Sequence, residues 1–353
     1  MIGRLSIRIV VLGLLAVGLT ACAQYHPEQP KGTAIVRLGG YDSTVQRDMA
    51  RDPLKASELA GYYVPYALMA VRAYGDADAA GERWQALIED KDDRGRPLAG
   101  QVAAWLADWH HAGSVDNPRA QHHENGPLTC GRDRKLIGQC LFNLPGMAYE
   151  IWVRKQCREV VLAFRGTDFR EINDWLTNFH WFLRLLPIND QYEQVQDHTR
   201  RLVDQMRRLC GGKSPLITAV GHSLGGGLAQ QAAYVDNRIT RVIAFDPSIV
   251  TGYHDVHSDT RDLSRLKIDR VYEHGEVLAY LRFVQRQFAP ASACNPQIRT
   301  IRVNLDRGSV VSQHSMATFA ANLVRAAGTP RDWQARRKYV LPESAPDLCH
   351  RPA

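Results

Sequence analysis

The chain has 353 residues, 45% of them hydrophobic and 23% charged, an ordinary globular balance with room for one large domain or two small ones. Its net charge of +7 suits an anionic surface but is too diffuse for the footprint of a nucleic-acid binder. No zinc-ligand spacing, basic aromatic RNA motif or internal repeat is present in the sequence.

The first elements are those of an export signal. "MIGRLSIR" carries Arg4 and Arg8, and "IVVLGLLAVGL" follows as an apolar run too short to span a bilayer comfortably. The run ends in "LTAC", Leu19 to Cys22, which resembles the lipobox of bacterial lipoproteins. That resemblance implies removal of residues 1–21 and acylation of Cys22, hence a membrane held through an N-terminal lipid anchor. Ala23, in place of Asp, resembles the lipoproteins sorted to the outer membrane. The expectation is an exported lipoprotein of the cell envelope, periplasm-facing or on the surface. The alternative is a secretory peptide cleaved near "ACAQ". Residues 22–54, with Pro27, Pro30, Gly32, Gly39 and Gly40, read as a tether. Residues 55–353 show no Pro/Ser-rich linker and read as one domain.

Leu59, Tyr63, Tyr66, Ala70 and Tyr74 recur at helical spacing, with Pro65 marking a kink. "GERWQALIED" and "QVAAWLADWHH" predict two short helices. "MAYEIWVRKQ" and "CREVVLAFRGT" predict two strands joined by a short turn. "DQYEQVQDHTRRLVDQMRRLC" puts Tyr192, Val195, Leu202, Met206 and Leu209 on one helical face and ends at Gly211-Gly212. "PLITAV", "ITRVIAF", "IDRVYEH" and "PQIRTIRVNL" read as strands, "LGGGLAQQAAYV" and "SMATFAANLVRAA" as helices. Such alternation predicts an α/β domain with a mostly parallel central sheet flanked by helices.

"VGHSLGGGLA" carries the chemistry. Gly-x-Ser-x-Gly between a strand and a helix is the pattern of a nucleophile elbow, with Gly221 and Gly225 flanking Ser223. The helix that follows points its positive end at the site, where an oxyanion would gain. The other reading of a glycine-rich strand-to-helix loop is a phosphate cradle, and no Lys-Ser/Thr pair follows these glycines to favour it.

"VVLAFRGT", "NDWLTN" and "VGHSLGGGLA", in this order, resemble the class 3 (fungal-type) lipases of the α/β-hydrolase fold, over about Leu59 to Val324. The resemblance implies acyl-ester hydrolysis with no cofactor and no metal. It implies oxyanion donors at Thr167 and Leu224. It places the catalytic acid after a later strand, at Glu276 in "RVYEHGEVLAYL", where aspartate is usual in the family. Asp246, at the end of "VIAFD", is the alternative acid; Asp269 and Glu273 read as surface charge. His314, between the last strand and the last helix, is the expected base, ahead of His254, His257 and His274. Ser223, Glu276 and His314 then fall in the chain order of α/β-hydrolases. His222 reads as a packing residue turned away from the nucleophile.

The apolar "DWLTNFHWFLRLLP" follows the first oxyanion residue and reads either as a lid or as a core segment, with Asp174 supporting the oxyanion loop. With Cys22 acylated, six cysteines remain. Cys157 precedes one strand and Cys210 ends the helix running antiparallel to it, so both should lie at the bottom of the sheet and pair. Cys130 and Cys140 bracket a short loop, which leaves Cys294 for Cys349. The function expected is a lipase- or phospholipase-A-type serine hydrolase with a lipid or acyl-ester substrate and no nucleic-acid partner. A carboxylesterase for small soluble esters and a non-catalytic envelope-binding lipoprotein are the alternatives.

Overall fold

Apolar runs such as "VVLAF" and "LITAV" dictate the middle of this protein, because a strand buried on both faces needs no polar alternation. The computed structural model describes residues 29–38, 53–74, 79–112, 149–166, 188–248, 262–275, 296–306 and 312–341. Among them lie the strands β1 (Thr33–Leu38), β2 (Leu54–Lys55), β3 (Trp109–His111), β4 (Tyr149–Arg154), β5 (Glu159–Phe164), β6 (Leu216–His222), β7 (Ile239–Phe245), β8 (Lys267–Glu273) and β9 (Gln297–Asn304). They form one sheet in the order β2-β1-β9-β8-β7-β6-β5-β4-β3. β5 to β9 are parallel neighbours in sequence order. β1 and β2 on one flank, and β4 and β3 on the other, pair antiparallel.

Period-2 alternation splits β5 between two cores. Val161 and Ala163 pack with α1 (Ala56–Arg72), α6 (Met316–Ala327) and α7 (Pro330–Arg336), and with residues of α2 (Ala79–Glu89) and α3 (Ala99–Leu106). Val160, Leu162 and Phe164 pack on the other face with α4 (Ile188–Leu209) and α5 (Leu224–Val235). α4 turns Tyr192, Val195, Leu202, Val203 and Met206 inward and leaves Arg200, Arg207 and Arg208 exposed. It stops at Gly211 and Gly212, both at positive φ. Helices on both faces of a largely parallel sheet, with a strand–elbow–helix turn at β6–α5, make this an α/β-hydrolase fold.

The expected pairing of Cys157 with Cys210 is present, their Cα atoms 5.6 Å apart, and it ties the start of β5 to the end of α4. Cys22, Cys130, Cys140, Cys294 and Cys349 lie outside the described residues, as do the expected lid segment and Asp174.

Three expectations need correction. Part of the supposed tether is sheet: all six residues of β1 pair with Arg299 to Asn304, and the Gln29 side chain bonds the Arg302 carbonyl. Pro30 and Gly32 therefore lead into a strand of the sheet rather than lying in free chain. The helix expected to run to His111 stops at Leu106, and Trp109–His111 pair with Trp152–Arg154. Asp269 and Glu273 are buried instead of lying on the surface. Asp269 receives the Arg299 guanidinium at 2.5 and 2.7 Å and the Tyr63 hydroxyl at 3.2 Å, partners that a charge at this depth requires.

Candidate active site

The parallel strands β5 to β9 all finish at one edge of the sheet, and the candidate residues gather there. β6 ends at His222, α5 starts at Leu224, and Ser223 makes the turn between them with φ 55° and ψ −123°. A serine avoids that conformation unless its surroundings enforce it. Here main-chain hydrogen bonds do so. The Ser223 N–H donates to the Phe245 carbonyl at 3.0 Å, and the Ser223 carbonyl accepts from Gly226 (3.0 Å), Gly227 (3.2 Å) and Ser248 (2.9 Å). The flanking glycines are steric necessities. A Cβ on Gly221 would lie 2.2 Å from the Gly225 carbonyl group, and one on Gly225 would lie 2.4 Å from the Phe164 oxygen. This contact brings the start of α5 against the end of β5. Leu224, the second expected oxyanion donor, is the first residue of α5. Thr167, the first, lies just beyond Gly166 and outside the described residues.

His314 closes a 3-10 turn (Ser312–His314), and Ser315 caps α6 behind it by accepting from the Thr318 N–H. The His314 side chain is buried, as are Asp246 and His222. One ligand-type atom from each of these three side chains lies within 4.8 Å of the other two. Asp246 follows β7 at φ 38°, and its Oδ1 accepts the Glu273 N–H at 3.0 Å. The alternative acid therefore sits beside the expected base. Glu276 lies outside the described residues. Two imidazoles and a carboxylate are also donors that a transition metal accepts, although Nδ1 of His222 is already engaged.

Its partner is Tyr74, just past the end of α1, whose hydroxyl lies 2.7 Å from His222 Nδ1. The His222 and His314 ring centroids are 4.8 Å apart. His222 is held well below the usual imidazole pKa by burial first and by the His314 ring second; a hydrogen bond to the His314 main chain opposes the shift, and Arg83 adds to it. His222 is thus neutral near pH 7. It is more than packing, for it joins Tyr74 to the segment bearing His314.

Glu273 is the other residue whose role the sequence hid. Burial pushes its carboxyl up to about 8, against hydrogen bonds from the Leu305 and Asp306 amides, with the Asp246 charge adding to the rise. Those amides reach Oε1 at 2.8 and 3.2 Å. A hydrophobic pattern cannot report such burial, because the amides come from a strand end some thirty residues on.

Residues 136–286 match the family model of a Tle-like phospholipase domain. The match takes in Ser223, Asp246 and Glu276 and ends before His314. No curated protein is significantly similar in sequence. Among solved structures, lipase II from Rhizopus niveus is similar with a TM-score of 0.35 and 14% identity, covering 72% of this chain and 79% of that one. The Lip2 lipase from Yarrowia lipolytica is similar with a TM-score of 0.33 and 12% identity, over 70% and 77% of the two chains.

An elbow serine on an α/β-hydrolase sheet defines the class: this is an ester-hydrolysing enzyme. The phospholipase-like stretch narrows it to lipid esters.

Proposed function

We propose that the protein is a phospholipase-A-type serine hydrolase working through Ser223, His314 and Asp246. The observation that carries the reading is the meeting of a buried imidazole and a buried carboxylate at the strand edge where the strained serine turns. His314 takes the Ser223 Oγ proton as the oxygen attacks the acyl carbonyl carbon. The tetrahedral oxyanion is held by the Leu224 amide at the start of α5, with Thr167 as second donor. When the intermediate collapses, the imidazolium returns its proton to the departing lysophospholipid alcohol, leaving an acyl-enzyme. Water, deprotonated by His314, then attacks the acyl carbon, and the imidazolium returns its proton to the Ser223 Oγ as the fatty acid leaves. Asp246 orients His314 and stabilises its charged form. Its support is proximity to the ring. A neutral His222 adds no positive charge beside the base.

The same reading includes acylation of Cys22 and attachment to the outer membrane, supported by the lipobox-like "LTAC". No described helix is long and apolar enough to cross a membrane.

The test is product analysis by mass spectrometry, with purified protein and mixed phospholipids. Lysophospholipid and free fatty acid are expected, and both should vanish in folded Ser223→Ala and His314→Ala variants. Full activity in either variant removes that residue from the mechanism.

A further inference from the structure

We propose that the catalytic edge of the sheet faces the bilayer that holds the lipid anchor, so that the enzyme works on the membrane it is fixed to. This rests on the reading above, both the acylated Cys22 and the Ser223 site. What carries it is the place where the chain enters the fold.

β1 runs antiparallel to β9, with Thr33 opposite Asn304. Asn304 is the last residue of β9, and β9 is parallel to the strands that end at Ser223 and Asp246. The chain therefore enters at the catalytic edge, not at the opposite one. The entry is fastened there: the Gly32 N–H donates to the Asn304 carbonyl at 2.7 Å. The Gln29 amide donates to the Arg302 carbonyl at 3.1 Å and accepts from the Arg302 guanidinium at 2.9 Å. The Asn304 amide also bonds the Gln29 main-chain carbonyl.

Three strand spacings separate β1 from β7, about 14 Å, and four separate it from β6, about 19 Å. From Cys22 to Gln29 the chain spans at most about 25 Å when fully extended. That is also the approximate length of the eight-residue β9. Turning the opposite edge to the bilayer would consume the whole reach of the tether just in running down the sheet. With the catalytic edge toward the bilayer, the same residues span only the gap between lipid and strand.

Charge offers one competing orientation. A groove of about 1110 Å³ at the opposite edge is lined by Arg200, Arg207, Arg238 and Arg265, with Asp236 and Asp262. Arg238 is already paired with Asp204 and Asp236, which leaves Arg200, Arg207 and Arg265 to draw that edge toward anionic lipid, against a covalent limit on distance.

Hydrogen exchange tests the orientation. The lipidated full chain carrying Ser223→Ala, bound to vesicles of phosphatidylethanolamine and phosphatidylglycerol, is compared with a soluble chain that also carries Cys22→Ser. Exchange on vesicles should slow by about five-fold or more at residues 274–275, 305–306 and 312–315. It should be unchanged at residues 213–216, 236–240 and 262–266. Protection at the second set instead, or at neither, overturns the orientation. An N-terminal peptide mass without acyl chains on Cys22 overturns the anchor on which it depends. Neither result touches the hydrolase reading, which fails separately if the Ser223→Ala chain still releases fatty acid.

Discussion

Replacing Asp246 with Asn removes one charge and keeps the shape. The carboxylate and the His314 ring lie within 4.8 Å of one another. At an effective dielectric of about 20, a unit charge pair at that distance is worth roughly 3.5 kcal/mol. That interaction exists only once the imidazole is charged, so its loss falls on the transition state and should lower kcat by about 300-fold. An amide that leaves the ring in the wrong tautomer would deepen the loss toward about 10⁴-fold. The assay is kcat and KM on a soluble nitrophenyl ester, beside the rate at which a fluorophosphonate labels the enzyme. KM should stay within about two-fold, because ground-state binding does not use the charge. Glu276→Gln should cost less than about three-fold in kcat. If Asp246→Asn kept near-native kcat, or if Glu276→Gln lost as much, the assignment of the acid would be wrong.

Tyr74→Phe deletes the hydroxyl that meets His222 Nδ1. With about 1 kcal/mol for a neutral hydrogen bond, kcat should fall about five-fold with KM unchanged; a native kcat would show that His222 needs no support from Tyr74. Removing the Cys157–Cys210 link opens a loop with a sequence separation of 53. Chain entropy sets that loss at about 4 kcal/mol, and engineered cases run nearer 2–4, so urea unfolding of the double Cys→Ala variant should show a lower midpoint, with a steeper slope because the unlinked unfolded chain exposes more surface. Glu273 has a folded pKa of about 8 against 4.5 unfolded, so the native state binds more protons between those values. Stability should then fall as pH rises from about 4.5 to 8, by up to a few kcal/mol. Glu273→Gln should flatten that slope in urea titrations at several pH values, and an unchanged slope would mean that Glu273 is ionised in the native state.

The middle of the fold was legible because β5 and β6 are short, mostly apolar runs, β7 and β8 are rich in β-branched and aromatic residues, and α4 has one apolar face over five turns. The flanks were not. β1 is six residues in a Pro- and Gly-marked stretch, and only its register with β9 reveals it as part of the sheet. β3 continues a helical pattern, yet its three residues gain ladder bonds with β4. At the site, the glycines point to Ser223 and chain order points to His314 as candidates. The acid could not be chosen this way. Asp246 and Glu276 both follow strands, and the order of elements favours neither; of the two, Asp246 is among the described residues and lies near the His314 ring. Asp269 drew its partners, Arg299 and Tyr63, from 30 and 206 residues away, far outside any local pattern.

The central claim, that Ser223 is an activated nucleophile, is best tested by treating the purified protein with a fluorophosphonate and mapping the adduct by peptide mass. One adduct is expected, on the peptide holding Ser223, with His314→Ala blocking its formation. An unlabelled protein, or an adduct on any other residue, would contradict the account.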